Sequence, residues 1–170
     1  GYNAFPSTGV FRDPPQVDGG DQSLLPASND AATIYWGTAW KMPTGGSESG
    51  SQFNAMKNAT YWAYDATDKG YYVFAPTSSY TANSQTKKGI PTELKKEDAL
   101  LFFPAAGYGT ASTLSEPGTS GHYWARNINS DNNKNARCLA FNKTTSGTPV
   151  EAFGGDERKY GFPIRPVSDK

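Results

Sequence analysis

Residues 60–76 read TYWAYDATDKGYYVFAP, and no other stretch narrows the fold as much. Tyrosine, tryptophan, phenylalanine and valine crowd two short segments, and a polar stretch ending in glycine separates them. Runs this short and this rich in aromatic and β-branched residues form strands rather than helices. ATDKG is short enough to join neighbouring strands, so the pair is expected as a β-hairpin with its glycine in the turn. Trp62, Tyr64, Tyr72 and Phe74 are expected on one face, and Tyr61, Tyr71 and Val73 on the other. A sheet with aromatics on both faces has two covers or one exposed stacking platform. Core is the commoner fate; Trp62 and Tyr64 are the candidates for a platform that stacks on a ligand.

The rest of the chain fits a loop-rich domain around such a sheet. Aromatic residues make up 14% of its 170 residues. Its 18 glycines and 12 prolines exceed the ~12% these two residues usually contribute. The length suits one domain with one core. Sixteen basic residues balance 16 acidic ones, which argues against nucleic acid, whose binding needs a basic excess. The longest apolar run, ALLFFPAAG, is too short to span a bilayer, so no membrane insertion by this segment is expected. The chain starts at Gly1 without a signal peptide, so a processed chain whose targeting signal has been removed is expected.

Residues 1–24 are proline-rich and aperiodic, and are expected as an irregular arm. SNDAATIYWG offers Ser28 or Asn29 as the N-cap of a short helix that Gly37 ends. SQFNAMKNAT reads as a second helix, with Phe53 and Met56 one turn apart. After the hairpin, the lysine-rich stretch 78–99 is expected as a solvated loop. LLFFP, HYWARNI, ARCLAFN, TPVEAF and YGFPIRPV then read as short strands. The expected class is α+β: two short helices plus short, mainly antiparallel strands with long loops.

Familiar catalytic patterns are absent. His122 is the one histidine and Cys138 the one cysteine, so no intrachain disulfide forms, and a His/Cys metal site has two candidate ligands where three or four are needed. No nucleophile elbow, Walker loop or dinucleotide fingerprint occurs. NSDNNKN fails as an EF-hand loop in both possible registers, because the required glycine and bidentate glutamate are missing. No cofactor and no metal are expected. Carboxylates at Asp65/Asp68, Glu93/Glu97/Asp98 and Asp156/Glu157 are scattered, and a glycosidase pair would have to be assembled from them.

Seven segments in a fixed order carry a resemblance. They are DAA (30–32), WG (36–37), WKMPT (40–44), FPAAG (103–107), GHYW (121–124), ARCLAF (136–141) and GFPIRPV (161–167). Together they resemble the Fibrobacter succinogenes major paralogous domain, common in surface proteins of Bacteroides-type anaerobes. The resemblance covers residues 25–167 and implies a C-type lectin-like fold, similar also to that of the formylglycine-generating enzyme. This chain departs from the pattern in its GGSESGSQ insertion and in Ala125–Arg126, where the family has two serines. The resemblance brings neither the calcium-lectin triplets nor the cysteine pair of formylglycine chemistry. It implies that Trp40, Trp124, Tyr160 and Phe162 lie in or near the core. Arg165 is expected to tie the last strand to a loop.

In that fold the later loops cluster on one face, and RNINSDNNKN (126–135) is expected to be one of them. Asn, Asp and Ser satisfy their own turns in water, and they also suit hydroxyl-rich ligands. Arg126, Asn127, Asn129, Asp131, Asn132 and Asn133 are therefore candidate ligand contacts. The expected function is non-catalytic recognition of a glycan or of a host or bacterial surface protein, at the cell surface of an outer-membrane-anchored adhesin or pilus protein. The alternatives are a carbohydrate-active hydrolase with paired carboxylates and a purely structural module.

Overall fold

The computed structural model describes residues 24–46, 50–129, 132–142 and 150–168, without the side chains of 132–133 and 152–154. The expected arm at 1–24 lies outside these except for Leu24, which bridges to Asn127.

The first helix, α1, spans Ala31–Trp36. Its N-cap is neither Ser28 nor Asn29 but Asp30, whose Oδ1 accepts the N–H groups of Ala32 at 2.9 Å and Thr33 at 3.2 Å. Gly37 ends it with φ of 91°, a left-handed value that glycine adopts at little cost. Strand β1 (Trp40–Lys41) follows, then α2 (Gln52–Ala59), capped by Ser51. Phe53 is buried, and Met56 packs beside it against the same core.

The aromatic hairpin forms as β2 (Tyr61–Asp65) and β3 (Gly70–Phe74). Its register differs from the expected one. Tyr61 faces Phe74, Trp62 faces Val73 and Tyr64 faces Tyr71. Four residues separate Asp65 from its partner Gly70, so even positions on β2 meet odd positions on β3. That parity places Trp62, Tyr64, Tyr71 and Val73 on one face, and Tyr61, Ala63, Tyr72 and Phe74 on the other. The turn's left-handed residue is Lys69, with φ of 53°. Gly70 serves instead to let β5 (Leu101–Pro104) approach, since a Cβ there would sit 2.5 Å from the Phe103 carbonyl oxygen.

With β4 (Ser84–Thr86) parallel to β2, these strands make a four-stranded sheet in the order β4-β2-β3-β5. Segment 78–99 is thus not a plain solvated loop. It contributes β4 and a 3-10 turn at Lys96–Asp98, and Tyr80, Ile90 and Leu94 pack over Tyr61, Ala63 and Phe74.

A small ladder joins β6 (Tyr108–Gly109) to β7 (Leu114–Ser115). Strands β8 (Ser120–Asn129), β9 (Asn132–Asn142) and β10 (Val150–Glu157) form an antiparallel meander. The asparagine-rich stretch 126–135, expected as a loop, is mostly the far end of the β8–β9 ribbon, where Asn129 pairs with Asn132. Of the expected strand YGFPIRPV, only its last residue enters β11 (Val167–Ser168), which pairs with β1. The class is α+β with mostly antiparallel sheets.

The main core lies between the two larger sheets and α2. Trp62, Tyr71, Phe103 and Leu139 are almost solvent-free there, and Tyr123, Phe141 and Val150 complete it. Burial of each such side chain contributes roughly 1.5–3 kcal/mol. Trp40, expected in or near the core, is 38% exposed, because β1 sits at the rim in a two-stranded ladder. Trp124 is half-buried and stacks on Phe162 with ring centres 4.1 Å apart. Arg165 donates from Nη2 to the Phe102 carbonyl at 2.6 Å and covers the Phe103 ring. It ties the C-terminal segment to strand β5 rather than to a loop. No helix of the described residues is long and apolar enough to cross a membrane.

Candidate functional site

Of the ribbon and hairpin residues proposed from sequence, the described ones sit in different parts of the fold. Asn127 is buried and spends its amide on Gly45, accepting from its N–H at 2.8 Å and donating to its C=O at 2.7 Å. Arg126 donates to the Leu25 carbonyl at 2.8 Å, and its Nε lies 3.5 Å from Oδ2 of fully buried Asp30, an ion pair rather than a formed hydrogen bond. Arg126 is therefore a bracket between the N-terminal segment and β8, not a cation at a loop mouth. The Asn129 side chain packs against Gly155 of β10. Asp131 and the side chains of Asn132 and Asn133 lie outside the described residues. Trp62 and Tyr64 are core: Trp62 donates from its indole to Thr60 Oγ1, and Tyr64 donates from its hydroxyl to the Gly118 carbonyl.

The chemistry gathers instead on the outer face of the β8–β9–β10 sheet. Strand alternation sends Tyr123, Ala125, Leu139 and Phe141 into the core and turns His122, Trp124, Cys138 and Ala140 the other way. The C-terminal segment folds across this outer face. The Trp124 N–H donates to the Pro163 carbonyl at 3.2 Å, and Gly109 and Gly161 exchange backbone hydrogen bonds at 2.8 Å each. That course sets Phe162 between Trp124 and His122 and brings Tyr160 and Tyr108 edge to face, 5.4 Å between ring centres.

Between the aromatic wall and the sheet is a cavity of about 300 Å³. Tyr108, Tyr160, Phe162 and His122 line it with rings, and Glu116, Glu151, Asp156 and Asn142 supply polar groups. Among the described residues that line it there is no lysine or arginine. Glu116 has φ of 53°, a strained value for a residue with a side chain. Its carbonyl is held by the N–H groups of Thr119 and Ser120 and by the Thr119 hydroxyl. A second cavity, of about 380 Å³, is lined mainly by Pro43, Phe53, Met56, Leu101 and Phe103. Arg165, the one cation among its described lining residues, already donates to Phe102. This cavity therefore offers little polar chemistry for recognition.

At the floor of the first cavity three side chains from three adjacent strands meet. His122 comes from β8, Cys138 from β9 and Asp156 from β10, with ligand atoms all within 4.8 Å of one another. His122 Nδ1 lies 3.4 Å from Asp156 Oδ2, and Cys138 Sγ lies 3.6 Å from the same oxygen. The imidazole beside it holds the Asp156 carboxyl below the usual range, against burial, which pushes it up. Burial, helped by the Asp156 charge, pushes the Cys138 thiol well up. Counting imidazole and thiol alone left this cluster out. Asp156 completes it, and only the β9–β10 pairing brings Asp156 near.

Compared with protein families, curated proteins and solved structures, the chain matches none.

Proposed function

We propose that this chain is a non-catalytic recognition domain that binds a hydroxyl-rich ligand, a glycan, in the cavity between Tyr108, Tyr160 and Phe162 and the carboxylates of Glu116, Glu151 and Asp156. One observation carries the reading: aromatic rings and hydrogen-bond acceptors line one space of sugar size. Sugar rings lay their C–H faces on aromatic rings and donate hydroxyl hydrogens to carboxylates and amides, and pockets of about 300 Å³ take ligands of that size. The resemblance to the major paralogous domain supports display at a bacterial cell surface in a C-type lectin-like fold. The β1–β11 ladder, which brings early and late segments together, is compatible with such a fold.

The site accounts less well for hydrolysis. A glycosidase needs one carboxylic acid kept protonated near neutral pH. Asp156 has the opposite bias, since His122 favours its ionised form.

A glycan array, followed by calorimetry with the best ligand, tests the proposal. Tyr160→Ala and Glu151→Gln should each weaken binding at least tenfold while far-ultraviolet circular dichroism stays unchanged. Binding indifferent to both substitutions, or turnover of a glycoside that Glu151→Gln abolishes, would overturn it.

A further inference from the structure

We propose that His122, Cys138 and Asp156 form a three-ligand site for a zinc-type divalent metal, with its open coordination position facing the cavity. The proposal concerns metal uptake alone and stands whatever the cavity binds.

His122 pairs with Ala140, Cys138 with both Trp124 and Gly154, and Asp156 with Ala136. The three therefore lie on a diagonal across β8, β9 and β10, all turned to the outer face. The shortest side chain is in the middle. The longer histidine and aspartate lean over the thiol until they meet. Nδ1, Sγ and Oδ2 thus form a triangle above the sheet, with known edges of 3.4 and 3.6 Å.

Those edges have a chemical meaning. With metal–ligand lengths of about 2.0–2.1 Å to nitrogen and oxygen and 2.3 Å to sulfur, tetrahedral ligands sit roughly 3.3–3.6 Å apart. The 3.4 Å separation is long for an N–H···O hydrogen bond, and His122 Nδ1 is buried without a hydrogen-bond partner, whereas the 3.6 Å contact is one that the Cys138 thiol also makes as a donor to Asp156. The donor set of one thiolate, one imidazole and one carboxylate suits zinc, and three protein ligands leave its fourth position open. His122 and Asp156 line the cavity, whereas Cys138 is fully buried beneath it. The free position consequently opens toward Tyr108, Glu116 and Tyr160. A water or a ligand hydroxyl would occupy it. A thiol ligates a metal as its thiolate, so uptake displaces the thiol proton.

The test is titration of tag-free, chelator-treated full chain with Co(II), then Zn(II). One Co(II) should bind per chain and produce a sulfur-to-cobalt charge-transfer band in the near ultraviolet. Zn(II) should abolish the band. Calorimetry in two buffers of different ionisation heat should show about one proton released per metal. Cys138→Ala should lose the band and weaken uptake at least tenfold. His122→Ala, at a half-buried position, should weaken uptake equally and serves as a second variant should Cys138→Ala fail to fold. The absence of Co(II) or Zn(II) uptake by the folded wild-type chain overturns the proposal. So does a band that persists in Cys138→Ala, uptake unaltered in His122→Ala, or binding without proton release. Failure to bind any glycan leaves these readouts untouched, so the two proposals fall separately.

Discussion

Asn127 grips Gly45 from both sides, accepting its N–H at 2.8 Å and donating to its C=O at 2.7 Å. A single amide thereby completes the backbone hydrogen bonding of a residue far away in sequence. It fixes the segment after β1 against β8. Asn127→Ala removes both bonds and strands two buried backbone groups, at about 1–3 kcal/mol each. The expected result is a clearly lower denaturant midpoint with an unchanged slope. Asn127→Asp keeps the acceptor but sets a buried carboxylate oxygen against the Gly45 carbonyl, and should cost at least as much.

Asp30 and Arg126 form another long-range tie. Asp30 also accepts the Met42 N–H at 3.0 Å, so its carboxylate organises α1, β1 and β8 together. Asp30→Ala loses the cap and leaves a largely buried guanidinium without its counterion. Breaking buried pairs from one side costs about 3–5 kcal/mol. Arg126→Ala should cost less, because Asp30 keeps its backbone N–H donors. Equal midpoints for the two variants would show that the cap contributes little beyond the ion pair.

Arg165 reaches the Phe102 carbonyl while its guanidinium lies over the Phe103 ring. Both contacts depend on a flat, forked cation, so lysine is a poor substitute. Arg165→Ala should cost about 1–3 kcal/mol, and Arg165→Lys should recover only part of it. Chemical denaturation of the three proteins measures this directly.

Segment 78–99 should loosen in acid. The Tyr80 hydroxyl holds the Glu93 carboxyl below its ordinary range. Lys96, then the Tyr72 hydroxyl, do the same for Asp68. A depressed folded value means that the unfolded chain binds protons first. The contribution is present above the ordinary carboxylate range and is lost as pH falls through the depressed values. Proteolysis within 78–99 should therefore rise below about pH 4. Glu93→Gln with Asp68→Asn should show that rise already at neutral pH.

How far these features were legible in the sequence depended on distance along the chain. The hairpin, α2 and the class were readable, because period and caps are local signals. The facing of Trp62 was not, since it turns on the parity of four turn residues, and a turn that began one residue later would have reversed it. The role of Arg126 is not legible locally, because its partner Asp30 lies almost a hundred residues earlier. The His122 cluster escaped for the same reason. Its three members are dispersed along the chain, and only the order of strands in one sheet makes them neighbours.

The short ladder between β1 and β11 also bears on how the protein assembles. It joins segments from near opposite ends of the described chain with very few backbone bonds. The β8–β9–β10 meander, by contrast, is built from near neighbours. Closing a long loop carries an entropy cost that local hairpins avoid, and contacts of large sequence separation form late. The expectation is that the β1–β11 clasp closes after the meander and opens before it. Native-state amide exchange should thus be fastest at Trp40–Lys41 and Val167–Ser168, and slowest in the middle of β9.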